Sequence, residues 1–309
     1  MKAGSAPRRA LLLANPKARN GGFSLDAVRD ILGRGGITPV EPPGEADCTA
    51  VIKRHADACD LVILGGGDGT LNAAAPALVE TGLPLGILPL GTANDLARSL
   101  AIPLDPLAAA ELITTAEAQP ADLGWVNGHY YFNVASIGFS AELAGDLTAE
   151  SKKKWGTLGY AIAAVRVLRR VRPFTVTIEH DGTTEKVVTI QASVGNGRHY
   201  GGGMTVEEGA SVDDGKLDFY SLEVAHWWRL IALLPALRRG THGQSDDVRA
   251  FKTTEIRLTT RRPRPVNTDG ELTTHTPAHF KVVPKAVRIY APAPAERPSA
   301  AGGSRLLSL

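Results

Sequence analysis

Between residues 10 and 122, short apolar runs alternate with amphipathic segments. RALLLANP, ending at Pro16, reads as a strand. FSLDAVRDILGRGG brings Phe23, Val28, Ile31 and Leu32 onto one helical face and is closed by glycines. DLVILGGGDGT is a strand entering a glycine turn, LNAAAPALVETG a helix, PLGILPLGT a second strand and turn, and NDLARSL the opening of another helix. Such alternation predicts a parallel sheet covered on both faces, with ligands beyond the carboxyl ends of the strands. From about Asp122 the pattern shifts to short alternating segments, among them HYYFNVASIGF, FTVTIEHDG, KVVTIQASVGN, KLDFYSLEV, EIRLTT and FKVVPKAVRIYA. Turn residues separate them, as in an antiparallel sandwich. Helices are expected at 156–171 and around AHWWRLIALLPALRRG. The predicted fold class is therefore α/β plus all-β: a parallel-sheet lobe over 8–122, an antiparallel β-sandwich lobe over 123–290, and a mobile Pro/Ala/Gly/Ser tail over 291–309.

Length and composition agree with two folded lobes. The 309 residues exceed what one core commonly serves, and 43% hydrophobic with 21% charged residues is ordinary for globular chains. A net charge of +2, with no basic-aromatic stripe, argues against a nucleic-acid binder. Cys48 and Cys59 are the two cysteines, with no CxxC or zinc-ligand spacing, which fits a reducing cytosol. The apolar run Ala10 to Ala14 is too short for a signal segment, and no run of about 18 apolar residues is present to span a bilayer. A soluble or peripheral protein is expected.

The candidate chemistry lies in two loops. Gly65-Gly66-Gly67-Asp68-Gly69-Thr70-Leu71-Asn72 joins a strand to a helix. Glycines there admit close backbone approach, and amides at the helix start suit a phosphate. A second strand-to-helix loop, Pro89 to Arg98, adds glycine, hydroxyl, amide and carboxylate groups at the same sheet edge. Neither loop is a Walker A, and the first strand-helix unit lacks the acidic residue of a dinucleotide fingerprint.

NPKARNGG at 15–22, GGGDGTLN at 65–72, LPLGTANDLAR at 88–98 and NTDGE at 267–271 together resemble the signature blocks of the diacylglycerol kinase catalytic-domain family. That family includes bacterial lipid kinases and sphingosine and ceramide kinases, and is distantly related to NAD kinases. The resemblance runs from about residue 8 to 290 and implies an ATP-binding α/β lobe, a β-sandwich lobe, and an ATP- and Mg²⁺-dependent lipid kinase. It implies that Gly66, Gly67, Asp68, Gly69, Thr70, Leu71, Asn72 and Thr92 bind the nucleotide phosphates, with Asn94 in the second loop and Asn15 nearby. The family's threonine after the second strand is replaced by Val40. A carboxylate beside a triphosphate needs an intervening cation, so Asp68 is read as helping to hold Mg²⁺ or its water.

Phosphoryl transfer to an alcohol needs a nearby carboxylate for the proton. Asp269 and Glu271 are separated by one residue, so in an extended segment both point the same way; a DG hairpin turn is the alternative. The resemblance names Glu271 as proton acceptor and leaves Asp269 for metal or positioning. It also implies a structural Mg²⁺ held by Asp214 and the carbonyls of Ser211 and Lys216, against the plain alternative of a hairpin turn. His275 and His279 flank Pro277 and read as surface residues. GNGRHYGGGM at 195–204 is either a loop beside the acceptor or a simple turn.

A lipid acceptor requires a membrane contact. Residues 152–172 combine seven Lys and Arg with an apolar helical stripe, which fits docking on anionic headgroups or, alternatively, a core helix with solvated arginines. Trp227 and Trp228 are a second candidate contact. The expected location is cytoplasmic, peripheral to the inner membrane face; pairing of two copies through sheet edges stays open. Two other readings are a kinase for a soluble acceptor and a nucleotide-binding regulator without turnover.

Overall fold

The computed structural model describes residues 7–14, 24–42, 47–146, 172–196, 199–200, 204–205, 212–223 and 248–293. The chain divides into two units, Met1–Ala121 with Lys285–Leu309, and Asp122–Pro284. The first carries β1 (Arg8–Ala14), α1 (Leu25–Arg34), β2 (Ile37–Val40), α2 (Cys48–His55), β3 (Leu61–Gly66), α3 (Asp68–Thr81), β4 (Leu85–Pro89), α4 (Asp95–Ser99) and α5 (Pro106–Thr115). After β5 (Ala118–Val126), which begins in the first unit, come β6 (His129–Tyr131), β7 (Val134–Gly138), α6 (Phe139–Asp146), β8 (Phe174–His180), β9 (Thr183–Thr189) and β10 (Gln191–Gly195). The order continues with β11 (His199–Tyr200), β12 (Met204–Thr205), β13 (Leu217–Leu222), β14 (Val248–Thr253), β15 (Glu255–Thr260), β16 (Pro265–Thr268), β17 (Glu271–His275) and β18 (Ala278–Tyr290).

In the first unit the strand order is β2-β1-β3-β4, all parallel. Every residue of β3 and β4 is buried, which is why these segments read as unbroken apolar runs: both faces of the sheet are covered. Helix starts are set locally. The Ser24 hydroxyl accepts from the Ala27 amide, Asp47 from Thr49 and Ala50, and Asp105 from Leu107 and Ala108. α1 buries Val28, Ile31 and Leu32, the face expected from their spacing. α3 differs, since Gly67 at its N-cap offers no side chain.

The second unit holds two antiparallel ladders, β9-β8-β15 with the first part of β18, and β14-β13-β10-β7-β16-β17. Ile137, Val176, Ile178, Val194, Phe219, Leu258 and Phe280 belong to one buried cluster, the sandwich core. Tight turns at Asn127-Gly128, Asp181-Gly182 and Asp269-Gly270 all have positive φ, the two-residue connection that matches strand twist.

Three sequence expectations are revised. HYYFNVASIGF is not one strand: it divides into β6 and β7, and at Gly138 (φ 94°) the chain turns into α6. KVVTIQASVGN breaks at Ile190, because β9 pairs with β8 while β10 pairs with β7 and β13, so the chain changes sheets. The stretch 123–290 is not wholly sandwich either. β18 leaves the second unit after Pro284, passes Lys285 at φ 51°, and sets Ile289 parallel to Leu85 of β4 in the first. The helices expected at 156–171 and 225–240 and the tail from 294 lie outside the described residues.

Candidate functional site

The two glycine loops of the first unit meet at the carboxyl ends of β3 and β4. Leu90 donates its amide to the Gly66 carbonyl at 2.9 Å, extending the ladder into the loops. Gly67 and Gly91 then lie back to back. A Cβ on Gly91 would stand 2.5 Å from the Gly67 Cα and 2.7 Å from Asn94 Oδ1, so neither position has room for a side chain. Asn94 adopts the left-handed conformation (φ 52°) tolerated by asparagine and closes its own loop. Its Oδ1 accepts from the Gly91 amide and its Nδ2 donates to the Gly91 carbonyl, each at 3.0 Å. The Asn94 side chain, expected to contact nucleotide, shapes its own loop in this way.

Asp68 ties the loops together. Its Oδ1 accepts from the amide of Leu96, in the first turn of α4, at 3.2 Å. The carboxylate therefore caps the neighbouring helix; its Oδ2 has no hydrogen bond among the described residues. At the start of α3 the amides of Asp68 and Gly69 have no intrahelical acceptor, and no side chain caps them. Uncapped helix amides beside two closely packed glycine loops suit an oxyanion, so the residues fit a nucleotide phosphate. Thr70 and Thr92 are exposed there, whereas the Leu71 side chain is buried in the core and offers only its backbone. Asn72 Oδ1 is buried without a hydrogen-bond partner, an acceptor for a donor or a cation. Asn15 lies outside the described residues.

The second unit separates Asp269 from Glu271. Asp269 (φ 49°) and Gly270 (φ 96°) form the hairpin turn between Thr268 and Glu271, which are paired across the strands. The hairpin alternative therefore describes this segment, and the two carboxylates do not alternate along one strand. Asp269 Oδ2 accepts from the Phe132 amide at 2.7 Å, and Oδ1 from Asn133 and Val134 at 3.0 Å each. Its own amide donates to the Val134 carbonyl, locking the turn onto the β6–β7 connection. Glu271 is exposed and makes no hydrogen bond or ion pair among the described residues. Burial, and then the Asp269 charge, push the phenol of Tyr131 well above its ordinary range, so it stays protonated.

Of the set read as a structural Mg²⁺ site, Asp214 and Lys216 are described. Asp214 Oδ1 accepts from the Lys216 amide at 3.0 Å, and Oδ2 pairs with the Lys252 ammonium at 2.9 Å. Lys252 also reaches the buried Asp218 at 3.3 Å. Burial lowers the Lys252 pKa, but the hydrogen bond to Asp214 and the charge of Asp218 outweigh it and hold the ammonium above its ordinary value. Among the described residues a lysine thus supplies a cation at Asp214. Ser211 lies outside them. Among the described residues no three His, Cys, Asp or Glu side chains gather closely enough to hold a metal.

Sequence reasoning missed the polar scaffold behind Asp269. Asp122 is 3% exposed and accepts from the Gly215 amide at 2.7 Å. Asn196 Nδ2 donates to the carbonyls of Asp122 and Phe132, and its amide to that of Asn133. Asn133 and Asn196 are polar residues at the edges of apolar strand segments, which was the one available signal. Asp95, 6% exposed at the start of α4, was likewise not singled out.

Residues 9–126 match the diacylglycerol kinase catalytic domain, and residues 133–291 the YegS C-terminal NAD kinase beta sandwich-like domain. The diacylglycerol kinase of Bacillus subtilis (strain 168) is 31% identical over 242 residues, covering 75% of this chain and 78% of its own. A protein of Xanthomonas campestris pv. campestris (strain 8004), named as a YegS-like lipid kinase, is 32% identical over 299 residues, covering 92% and 96%. The crystal structure of a diacylglycerol kinase from Bacillus anthracis str. Sterne matches with a TM-score of 0.77 at 28% identity, over 93% of this chain and 98% of that one.

Proposed function

The chain belongs to the diacylglycerol kinase catalytic-domain family, and from that membership and its paired glycine loops we propose that it is a lipid kinase. It transfers the γ-phosphate of ATP to a hydroxyl of a diacylglycerol-like neutral lipid. The observation that carries this reading is the close packing of the Gly67 and Gly91 backbones beside the uncapped start of α3. At that helix start the amides of Asp68 and Gly69 bind phosphate oxygens, and Thr70 and Thr92 add hydroxyl donors. Asp68 Oδ2 and Asn72 Oδ1 are the oxygens that would hold Mg²⁺ or its water, and the bound ion would neutralise the triphosphate. Holding Leu96, Asp68 also fixes the second loop relative to the first.

Glu271 is the proton acceptor for the attacking hydroxyl. Its freedom from internal partners leaves it available to a substrate, whereas Asp269 is committed to three amides and serves as a positioning residue for the turn. Positioning and charge neutralisation dominate phosphoryl transfer, so no unusual basicity is required of it. No helix among the described residues is long and apolar enough to cross a membrane, so contact with a bilayer-resident substrate is peripheral in this reading. The segment 152–172 that would supply it lies outside the described residues.

The test is transfer of radiolabelled γ-phosphate from Mg²⁺-ATP into a lipid extract in mixed micelles, with products separated by chromatography. A labelled lipid is expected from the native protein and not from Glu271→Gln, which still binds ATP. Full turnover by Glu271→Gln places the proton acceptor elsewhere. ATP binding with no labelled lipid would overturn the lipid acceptor in favour of a soluble one or of a sensor.

A further inference from the structure

The ladder β9-β8-β15 turns one face to the sandwich core. Phe174, Val176 and Ile178 of β8 and Ile256 and Leu258 of β15 are buried on that side. At the edge of this ladder, near the end of β15, lies a cavity of about 520 Å³ within the second unit, lined by Lys186, Arg261, Arg262, Arg264, four threonines and Phe174. None of these residues belongs to the glycine loops or to the Asp269–Glu271 turn. Among the described residues the lining contains four cations and no carboxylate.

The arginine turn is held in place. Thr260 Oγ1 donates to the Arg262 carbonyl at 2.8 Å, the Arg264 amide to Thr276 Oγ1 at 2.9 Å, and the Thr276 amide to the Arg264 carbonyl at 2.9 Å. Pro263 and Pro265 restrict the same five residues further. Arg264 lies 3.9 Å over the Phe174 ring and contacts Glu142 at 3.4 Å, the one ion pair made by a lining cation among the described residues. Lys186, Arg261 and Arg262 have no carboxylate partner there. Like charges gathered on a constrained turn repel one another, and an anion relieves that repulsion.

We infer that this cavity binds a phosphate ester. Arginine forks match phosphate oxygens bidentately, and the threonine hydroxyls supply further donors. The volume is in the range of small-molecule sites. Val188, 58% exposed, is paired with Thr175 of the lining, and Lys186 with Thr177. An exposed aliphatic side chain beside a cationic pocket fits the phosphate of a lipid headgroup, with Val188 toward the acyl side.

The probes are vesicles of phosphatidylglycerol in phosphatidylcholine, measured by co-flotation, and free glycerol 3-phosphate, measured by calorimetry. Arg261→Gln with Arg262→Gln is the test variant, since both side chains are exposed and unpaired. Arg9→Gln with Arg34→Gln carries the same charge change in the first unit. The double arginine-turn variant loses affinity about tenfold or more, and the control variant keeps it. Loss in the vesicle arm alone names a membrane lipid as the source; loss in the glycerol 3-phosphate arm names a free phosphate ester. Equal binding by native protein and turn variant, equal loss in the control variant, or no binding of either probe by native protein overturns the inference.

Discussion

Replacing Asp269 by alanine removes a single acceptor group on which three amides depend. Phe132, Asn133 and Val134, which donate to it, are only 2%, 3% and 8% exposed, so water cannot readily take its place. A hydrogen bond to a charged group contributes about 1.5–3 kcal/mol, and the three share one carboxylate, so the loss is about 3–5 kcal/mol and not their sum. Alanine at φ 49° adds roughly 1 kcal/mol of backbone strain that aspartate tolerates better. For a domain of this size the melting transition of the second unit falls by roughly 8–24 °C. Asp269→Asn keeps one oxygen for Asn133 and Val134 but turns an amide toward the Phe132 N–H, so it loses about 1–3 kcal/mol. Thermal unfolding of the full chain by calorimetry, native against both variants, measures the series. A transition for Asp269→Ala within about 1 °C of native refutes the structural role given to this carboxylate.

The other loop makes a sharper demand. Gly91→Ala places a Cβ 2.5 Å from the Gly67 Cα, so the loops must part and ATP affinity falls at least about tenfold; unchanged affinity by equilibrium binding rejects the cradle. Lys252→Met strips the ammonium from Asp214 and the buried Asp218, which destabilises the second unit by about 2–4 kcal/mol. Added Mg²⁺ or Ca²⁺ then raises the melting temperature of that variant but not of the native protein; a nucleotide-free native protein that responds to chelator contradicts the lysine's role. Glu255, hydrogen-bonded to His279, has its pKa lowered below 4.5, so its contribution is present above that pH and is lost as the pH falls through the folded value. The melting difference between native protein and Glu255→Gln therefore closes below pH 4.5, and a difference that persists there removes the pair from the account.

Much of the first unit was written in local pattern. Runs such as Leu61–Leu64 are apolar without interruption because both sheet faces are covered, and Gly67 and Gly91 stand at strand ends because two backbones come together there. Those constraints act over a few residues and leave their mark on the sequence. The alternating strands of the second unit were visible for the same reason.

What only the tertiary structure decided are the pairings between distant segments. Spacing alone aimed Asp269 and Glu271 the same way, but the hairpin turn at Asp269-Gly270 sends one carboxylate onto Phe132, Asn133 and Val134 and leaves the other exposed. Lys252 meets Asp214 because β13 and β14 are neighbours, which sets Asp218 opposite Lys252 although they lie far apart in the chain. β18 reads as one strand, yet its two ends join different units, since strand periodicity records which face is buried and not which partner lies alongside. Local sterics and alternation are properties of neighbouring residues and so belong to the sequence. Hydrogen-bond partners across more than a hundred residues are chosen by the folded chain as a whole.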